Sequence, residues 1–231
     1  PRGNILVDPN WANWLLVVRR LRHAGLAHHH LPNIDLVLIT HAHFDHLNRR
    51  SLRRIAANQP IVVPSGVGDL VHGIGFEKVY EMKWWERLRF PSAAITFVPA
   101  KHWGARKVTD HHRGYGGYVI DLGIRSVYHA GDSGYFEGFK EIGKKLKPEI
   151  ALLPIGAYHG PKFGENHLDP EQAMRAFEDL RAKVLVPMHF GTYRLSYEPL
   201  HEPPQRLMQA ATLSGRLPDV RFLVEGMPTL F

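Results

Sequence analysis

Residues 35–46 read DLVLITHAHFDH, an apolar run followed at once by a cluster of metal-binding residue types. The apolar half is typical of a buried strand. Because alternate side chains of an extended segment share a face, His41 and His43 can point at one metal ion. Asp45 and His46 lie where the chain turns into a predicted helix, from which they can reach a second ion. Four candidate ligands in so short a segment therefore predict a site for two metal ions.

Three further candidate ligands stand at the ends of three later predicted strands. They are His102 after residues 95–99, Asp132 after residues 126–129, and His189 after residues 184–187. In open α/β sheets, ligand sites gather at the carboxyl ends of the strands, so these side chains can converge with the first cluster.

The rest of the chain alternates short apolar runs with amphipathic stretches, which predicts an α/β protein. Further strands are predicted over residues 61–63, 118–121 and 150–154, and helices over residues 46–58, 138–147 and 170–182. Asp169 and Pro170 are a typical N-cap and first residue of the last of these helices. Without a low-complexity linker or a fixed repeat, we expect residues 1–231 to form a single domain.

Composition limits the chemistry of the site. The chain has no cysteine, so any metal must be held by nitrogen and oxygen, and its 16 histidines are an unusually rich supply of such ligands. The formal charge of +7 favours anionic partners, although the basic residues are dispersed over predicted helix faces and equally suit a generally basic surface. Neither an apolar run of about 18 residues nor a secretory leader is visible. We therefore expect a soluble, cytoplasmic protein.

The order HxHxDH, lone His, Asp and final His is similar to that of the metallo-β-lactamase superfamily. The resemblance implies a four-layer αββα sandwich with two divalent ions. Zinc is the favoured metal, although manganese or iron also suits these ligands. In the implied assignment, the first ion binds His41, His43 and His102, the second binds Asp45, His46 and His189, and Asp132 bridges them.

A closer resemblance runs along nearly the whole chain, to the branch that contains N-acylphosphatidylethanolamine-hydrolysing phospholipase D. It rests on seven ordered motifs at residues 39–47, 84–86, 99–103, 130–135, 153–158, 167–171 and 188–192. That branch usually has a strand before the segment that corresponds to residues 4–9, so the resemblance leaves open whether this sheet lacks its usual first strand. The N-terminal extension that the animal phospholipase uses for membrane docking and dimerisation has no counterpart here. Peripheral membrane contact and oligomeric state therefore stay open.

The resemblance implies hydrolysis by a hydroxide that bridges the two ions, because bound metal lowers the pKa of water from about 15.7 toward about 7. Asp132 and Asp45 are the implied catalytic carboxylates. We predict His167 to be a third catalytic residue, which orients the substrate or protonates the leaving group. Tyr158 and Trp103 are candidate substrate contacts, for a phosphate and an apolar chain respectively. On sequence alone, a helix-entry role suits His167 and a core role suits Tyr158 about equally well, and for Trp103 a core role is favoured over substrate contact.

The implied substrate is a phosphodiester, small or lipid, cut in the manner of a phospholipase D. Lactone or other acyl-ester hydrolysis is the alternative within the same fold. A ribonuclease is a third alternative that the basic charge favours, but no basic stripe interleaved with aromatic residues marks a nucleic-acid surface. From another class, the chain could be a non-catalytic zinc-binding module, although structural zinc sites usually close with four protein ligands.

Overall fold

The computed structural model describes residues 3–107, 109–160 and 163–231. Its strands are β1 (Ile5–Val7), β2 (Trp14–Leu15), β3 (Val18–Arg19), β4 (Leu36–Leu38), β5 (Ile61–Pro64), β6 (Val79–Met82), β7 (Arg87–Arg89), β8 (Ala94–Val98), β9 (Gly117–Asp121), β10 (Ser126–His129), β11 (Ile150–Pro154) and β12 (Val184–Met188). Its α-helices are α1 (Arg49–Ile55), α2 (Gly68–Val71), α3 (Gly138–Leu146), α4 (Pro170–Leu180) and α5 (Glu202–Leu213). None of the described helices is both long and apolar enough to cross a membrane.

Two sheets form the centre of the molecule. One is parallel with the strand order β1-β4-β5-β6, and the other is mixed with the order β12-β11-β10-β9-β8-β7. Strand β1 is an edge strand of the first sheet as far as the described residues extend. The strands β2 and β3 stand apart as a short antiparallel hairpin.

Three apolar clusters join these elements into four layers. The middle cluster packs the two sheets against each other, for example Leu38 and Val62 with Ile95 and Phe97. A second cluster covers the outer face of the parallel sheet with α1 and α2, and a third covers the mixed sheet with α3, α4 and α5. The predicted αββα sandwich is therefore confirmed.

Helix starts follow their capping residues. The predicted cap of α4 is present, since Asp169 accepts a hydrogen bond from the backbone N–H of Gln172 at 2.7 Å in a capping box. Helix α1 begins later than the predicted residue 46, because Asn48 caps it by accepting from the backbone N–H of Ser51. The prediction was wrong there because the residues before Asn48 belong to the loop that carries the candidate ligands.

Candidate metal centre

All seven predicted metal ligands come together where strands of the two sheets end. The first cluster follows β4, and His102, Asp132 and His189 come shortly after β8, β10 and β12. Their side chains fall into two groups, each with ligand atoms within 4.8 Å of one another. The groups are His41, His43, His102 and Asp132 on one side, and Asp45, His46, Asp132 and His189 on the other.

In the first group, three imidazole nitrogens converge. His43 Nδ1 lies 2.9 Å from His41 Nε2 and 3.2 Å from His102 Nε2. Asp132 Oδ2 lies 3.8 Å from His41 Nε2 and 3.9 Å from His102 Nε2. The carboxylate of Asp132 therefore faces His41 and His102, whose Nε2 atoms remain closer to His43 Nδ1 than to this carboxylate.

The second group is built around His189. Its Nε2 lies 3.2 Å from His46 Nε2, 3.3 Å from Asp45 Oδ2 and 3.3 Å from Asp132 Oδ1. Asp132 Oδ2 lies 3.3 Å from His46 Nε2. Asp132 thus belongs to both groups, as expected of a residue that bridges two sites.

This donor set fits divalent metal ions. Ligand atoms about 2.0 Å from a tetrahedral zinc ion are about 3.3 Å from one another, which is close to the spacing found in both groups. Asp132 Oδ1 is buried and has no hydrogen-bond partner among the described residues, so it is a lone acceptor that a cation would satisfy. Imidazole and carboxylate ligands without thiolates suit zinc, manganese or iron.

The first group is held in the form that binds metal. Burial lowers the pKa of His41, His43 and His102, and that of His102 falls to about 3. These rings are therefore neutral at pH 7, with a lone pair available for coordination.

The carboxylates of the second group favour positive charge beside them. Burial opposes the charged form of His46, but the carboxylates of Asp132, Asp45 and Asp8 outweigh it and raise the pKa of His46. Burial likewise opposes ionisation of Asp132, yet His189 and His46 hold the pKa of this carboxyl well below its usual range. Without a metal ion, the carboxylates are balanced by protonated imidazoles, and a divalent cation can take over that role.

Hydrogen bonds behind the rings fix their orientation. Asp8 Oδ2 accepts from His46 Nδ1 at 2.7 Å and from the Thr40 hydroxyl at 2.6 Å. His41 Nδ1 lies 2.9 Å from the same hydroxyl and can donate to it, and His102 Nδ1 lies 3.1 Å from the backbone carbonyl of Asn166. A ring that donates through Nδ1 presents the lone pair of Nε2 to a metal ion.

Sequence analysis assigned no role to Asp8 or Thr40. The signal that could have found Asp8 is its place directly after β1, because the carboxyl end of this strand lies beside that of β4. Asp8 also adopts a left-handed backbone conformation, with φ of 47°, that Asp and Asn tolerate better than most residues.

Replacing Asp8 by asparagine tests this supporting role. We expect Asp8→Asn to weaken zinc binding about 10- to 100-fold, because the charge that aligns His46 is lost. Competition with a chromophoric chelator measures the affinity, and Asp121→Asn is the matched control, since this half-exposed carboxylate at the end of β9 pairs with Arg87 and not with a candidate ligand. Equal zinc affinity in wild type and Asp8→Asn would show that His46 needs no such partner.

His167 lies between the two groups but belongs to neither. Its ring stacks on His189 with a centroid distance of 5.8 Å and stands edge-on to His102 at 5.0 Å. Nδ1 lies 3.8 Å from Asp132 Oδ2 and has no hydrogen-bond partner among the described residues. Burial, which leaves the residue 4% exposed, lowers the pKa of His167 to about 4. The structure therefore places beside both candidate ion sites a neutral imidazole whose Nδ1 has no hydrogen-bond partner among the described residues.

The two predicted substrate contacts differ in position. Trp103 is 39% exposed, and its ring lies 4.3 Å from that of His102 and 4.8 Å from that of His43, so it forms an apolar wall beside the centre. The Tyr158 hydroxyl instead donates to Glu202 at 2.7 Å, and Arg206 lies over its ring. The structure does not bring that hydroxyl to the ligand cluster, and its contact with phosphate stays a prediction.

An open cleft of about 270 Å³ leads to the second group. Its walls include Asp45, His46 and His189 together with Arg20 and Tyr193. The cleft therefore reaches candidate ligands of the second group.

Comparison with known proteins agrees with this geometry. Residues 3–190 match the family described as the beta-lactamase superfamily domain. An N-acyl-phosphatidylethanolamine-hydrolyzing phospholipase D of Caenorhabditis elegans is 30% identical over 244 residues, which cover 96% of this chain and 68% of the nematode protein. An uncharacterised protein of Mycobacterium tuberculosis is 31% identical over 90% of this chain, which spans only 59% of the mycobacterial protein's length.

Among solved structures, that of Igni18, described as a novel metallo hydrolase from Ignicoccus hospitalis, is similar. It is 28% identical with a TM-score of 0.64, over 84% of this chain and 78% of Igni18.

Proposed function

Because the chain belongs to the beta-lactamase superfamily, we propose that it is a metal-dependent hydrolase of phosphodiesters that works with two divalent ions, zinc first. The observation that carries this proposal is the pair of ligand groups that share the buried carboxylate of Asp132. A purely structural zinc site would close on four protein ligands instead of sharing one between two groups.

When bound, the two ions would supply a water acidic enough to attack at neutral pH, together with positive charge for the phosphoryl oxygens. Asp132 would hold the two sites at a fixed separation and balance their charge. Asp45 would complete the second group, at the side that faces the cleft.

His167 is proposed to act on the substrate. Its buried Nδ1 is free of hydrogen bonds among the described residues and lies beside both ligand groups. From this position the neutral imidazole can donate a hydrogen bond to a phosphoryl oxygen. To protonate the leaving oxygen it would first have to take up a proton, which its lowered pKa disfavours. Trp103 is proposed to pack against the apolar part of the substrate, because its exposed ring borders the first group.

The C. elegans relative directs the choice of substrate toward a lipid phosphodiester. The purified protein, with zinc restored, is assayed on N-acylphosphatidylethanolamine in mixed micelles and on bis(p-nitrophenyl) phosphate, each beside a chelated control. Chelator-sensitive release of phosphatidic acid would support the phospholipase D-like reaction. Turnover of a lactone without turnover of either phosphodiester would overturn it.

Substitution of His167 tests its role separately from metal binding. We expect His167→Asn to lower kcat about 100-fold or more, within the range of a lost proton donor or acceptor, while the zinc content stays that of wild type. His159→Asn, at an exposed histidine, is the matched control. Loss of zinc from His167→Asn would instead identify His167 as a ligand.

A further inference from the structure

The hairpin of β2 and β3 has an apolar tip. Leu15 is buried and anchors the hairpin, but the turn residues Leu16 and Val17 are 75% and 87% exposed. Trp14, beside the turn, is 58% exposed. Three large apolar side chains thus lie exposed together at the turn of this hairpin.

The turn does not have the residue types that are usual in a two-residue hairpin loop. Such loops favour Asn and Gly because they need positive φ angles. Leu16 adopts a φ of 54°, which is costly for a bulky side chain, and its side chain does not contribute to the apolar core. Strain and exposed apolar surface at the same position have no benefit for folding, and point to a function of the tip.

Positive charge surrounds the base of this hairpin. Trp14 pairs across the hairpin with the exposed Arg19. Trp14 and Leu16 also line a groove of about 680 Å³ whose other wall carries arginines of α1 and the loop before β9. These arginines are Arg49, Arg50, Arg54 and Arg106.

We propose that this hairpin and the adjoining arginines form a docking surface for a phospholipid bilayer that carries anionic headgroups. Aliphatic side chains at the tip would enter the boundary between headgroups and acyl chains, with Trp14 at headgroup level. The arginines of α1 would bind lipid phosphates, because basic residues near the membrane surface are attracted to anionic headgroups. Single-stranded nucleic acid would suit the arginines and Trp14, but it has no apolar phase in which to bury Leu16 and Val17.

The docking surface is connected to the candidate metal centre. Arg20, next to β3, forms a β-bridge with Tyr193 and lies over its ring, and both residues line the cleft. Leu21 N donates to the carbonyl of Thr192, in the loop that follows His189. A bilayer bound at the tip would therefore lie near the mouth of the cleft, and lipid phosphodiesters would enter the cleft from the membrane. This consequence for the substrate rests on the proposed function.

The test variant is Leu16→Gly combined with Val17→Asn, because a two-residue turn in which only the first central residue has a positive φ prefers glycine at that position. It removes the apolar tip and relieves the strain at Leu16, so the melting temperature should stay the same or rise. Ile124→Ser is the matched control, since Ile124 is 83% exposed in the turn between β9 and β10.

Binding is measured by co-sedimentation with vesicles of phosphatidylcholine alone or mixed equally with phosphatidylglycerol. We expect the wild-type protein to bind the mixed vesicles more tightly, and the double variant to bind them about tenfold or more weakly, because two buried apolar side chains are lost. Ile124→Ser should bind like wild type. Turnover of bis(p-nitrophenyl) phosphate, a soluble substrate, should be equal in all three proteins.

Equal vesicle binding by wild type and double variant would overturn the proposal. So would absence of vesicle binding together with salt-sensitive binding of a single-stranded RNA oligonucleotide, or a wild-type dimer that the double variant converts to a monomer. If vesicles bind as expected but no phosphodiester is cleaved, the docking surface stands and the proposed function fails.

Discussion

Asp132→Asn is expected to lower the turnover of a phosphodiester about 1,000-fold or more, equivalent to about 4 kcal/mol of transition-state stabilisation. The reason is that both ligand groups share this carboxylate, with Oδ1 3.3 Å from His189 Nε2 in the second group and Oδ2 3.8 Å from His41 Nε2 in the first. Removing its charge affects both candidate ion sites at once. Steady-state kinetics with saturating zinc measures the loss.

The fold should survive this change. Asparagine has nearly the shape of aspartate, and the apolar clusters that join the layers do not include Asp132. Circular dichroism and the melting temperature check this, with Asp121→Asn as the control for removal of a carboxylate elsewhere. Activity within tenfold of wild type in Asp132→Asn would contradict the proposed two-ion centre.

Removal of metal is expected to abolish activity while the protein stays folded. Chelation takes away the source of the activated water, so the residual rate should be at least about 100-fold lower. The sandwich itself is held by apolar packing between the sheets and helices, so thermal unfolding should remain cooperative.

Adding metals back separates the enzymatic interpretation from the structural one. Zinc, manganese or iron should restore turnover, whereas calcium should not, because it prefers oxygen ligands and the first group is mainly imidazole. If the chelated protein unfolds and no activity was present beforehand, the centre is a structural zinc site.

Local sequence patterns predicted the central strands closely. The apolar runs that precede the His and Asp ligands correspond to β4, β8, β10 and β12, with bounds that differ by at most two residues. A strand buried on both faces needs a continuous apolar run, and such a run is visible without any knowledge of its neighbours. The strands predicted over residues 118–121 and 126–129 are also present, as the antiparallel pair β9 and β10.

Elements with weaker patterns were not predicted. Strand β7 reads Arg87-Leu88-Arg89 and contributes mainly Leu88 to the core. Helix α5 begins with two prolines after Glu202, a pattern that resembles a loop as much as a helix start. These segments owe their conformation to packing against the rest of the fold.

In the candidate site, too, some features could be predicted from local sequence and others depend on tertiary packing. The metal ligands follow a compact motif and could be found from the sequence, but the contact between Asp8 and His46 joins residues 38 positions apart and depends on the pairing of β1 with β4. Tyr158 was singled out because it lies in a shared motif, yet its hydroxyl donates to Glu202 on α5. Which partner a side chain chooses is decided by tertiary packing that a local pattern does not contain.

The most direct test of the two-ion centre is the number of zinc ions bound per chain, measured by elemental analysis after the chelated protein is dialysed against zinc. The account predicts two ions in the wild type, and one in His43→Ala, which belongs to the first group alone. A wild-type protein that binds a single zinc ion, or none, would contradict it.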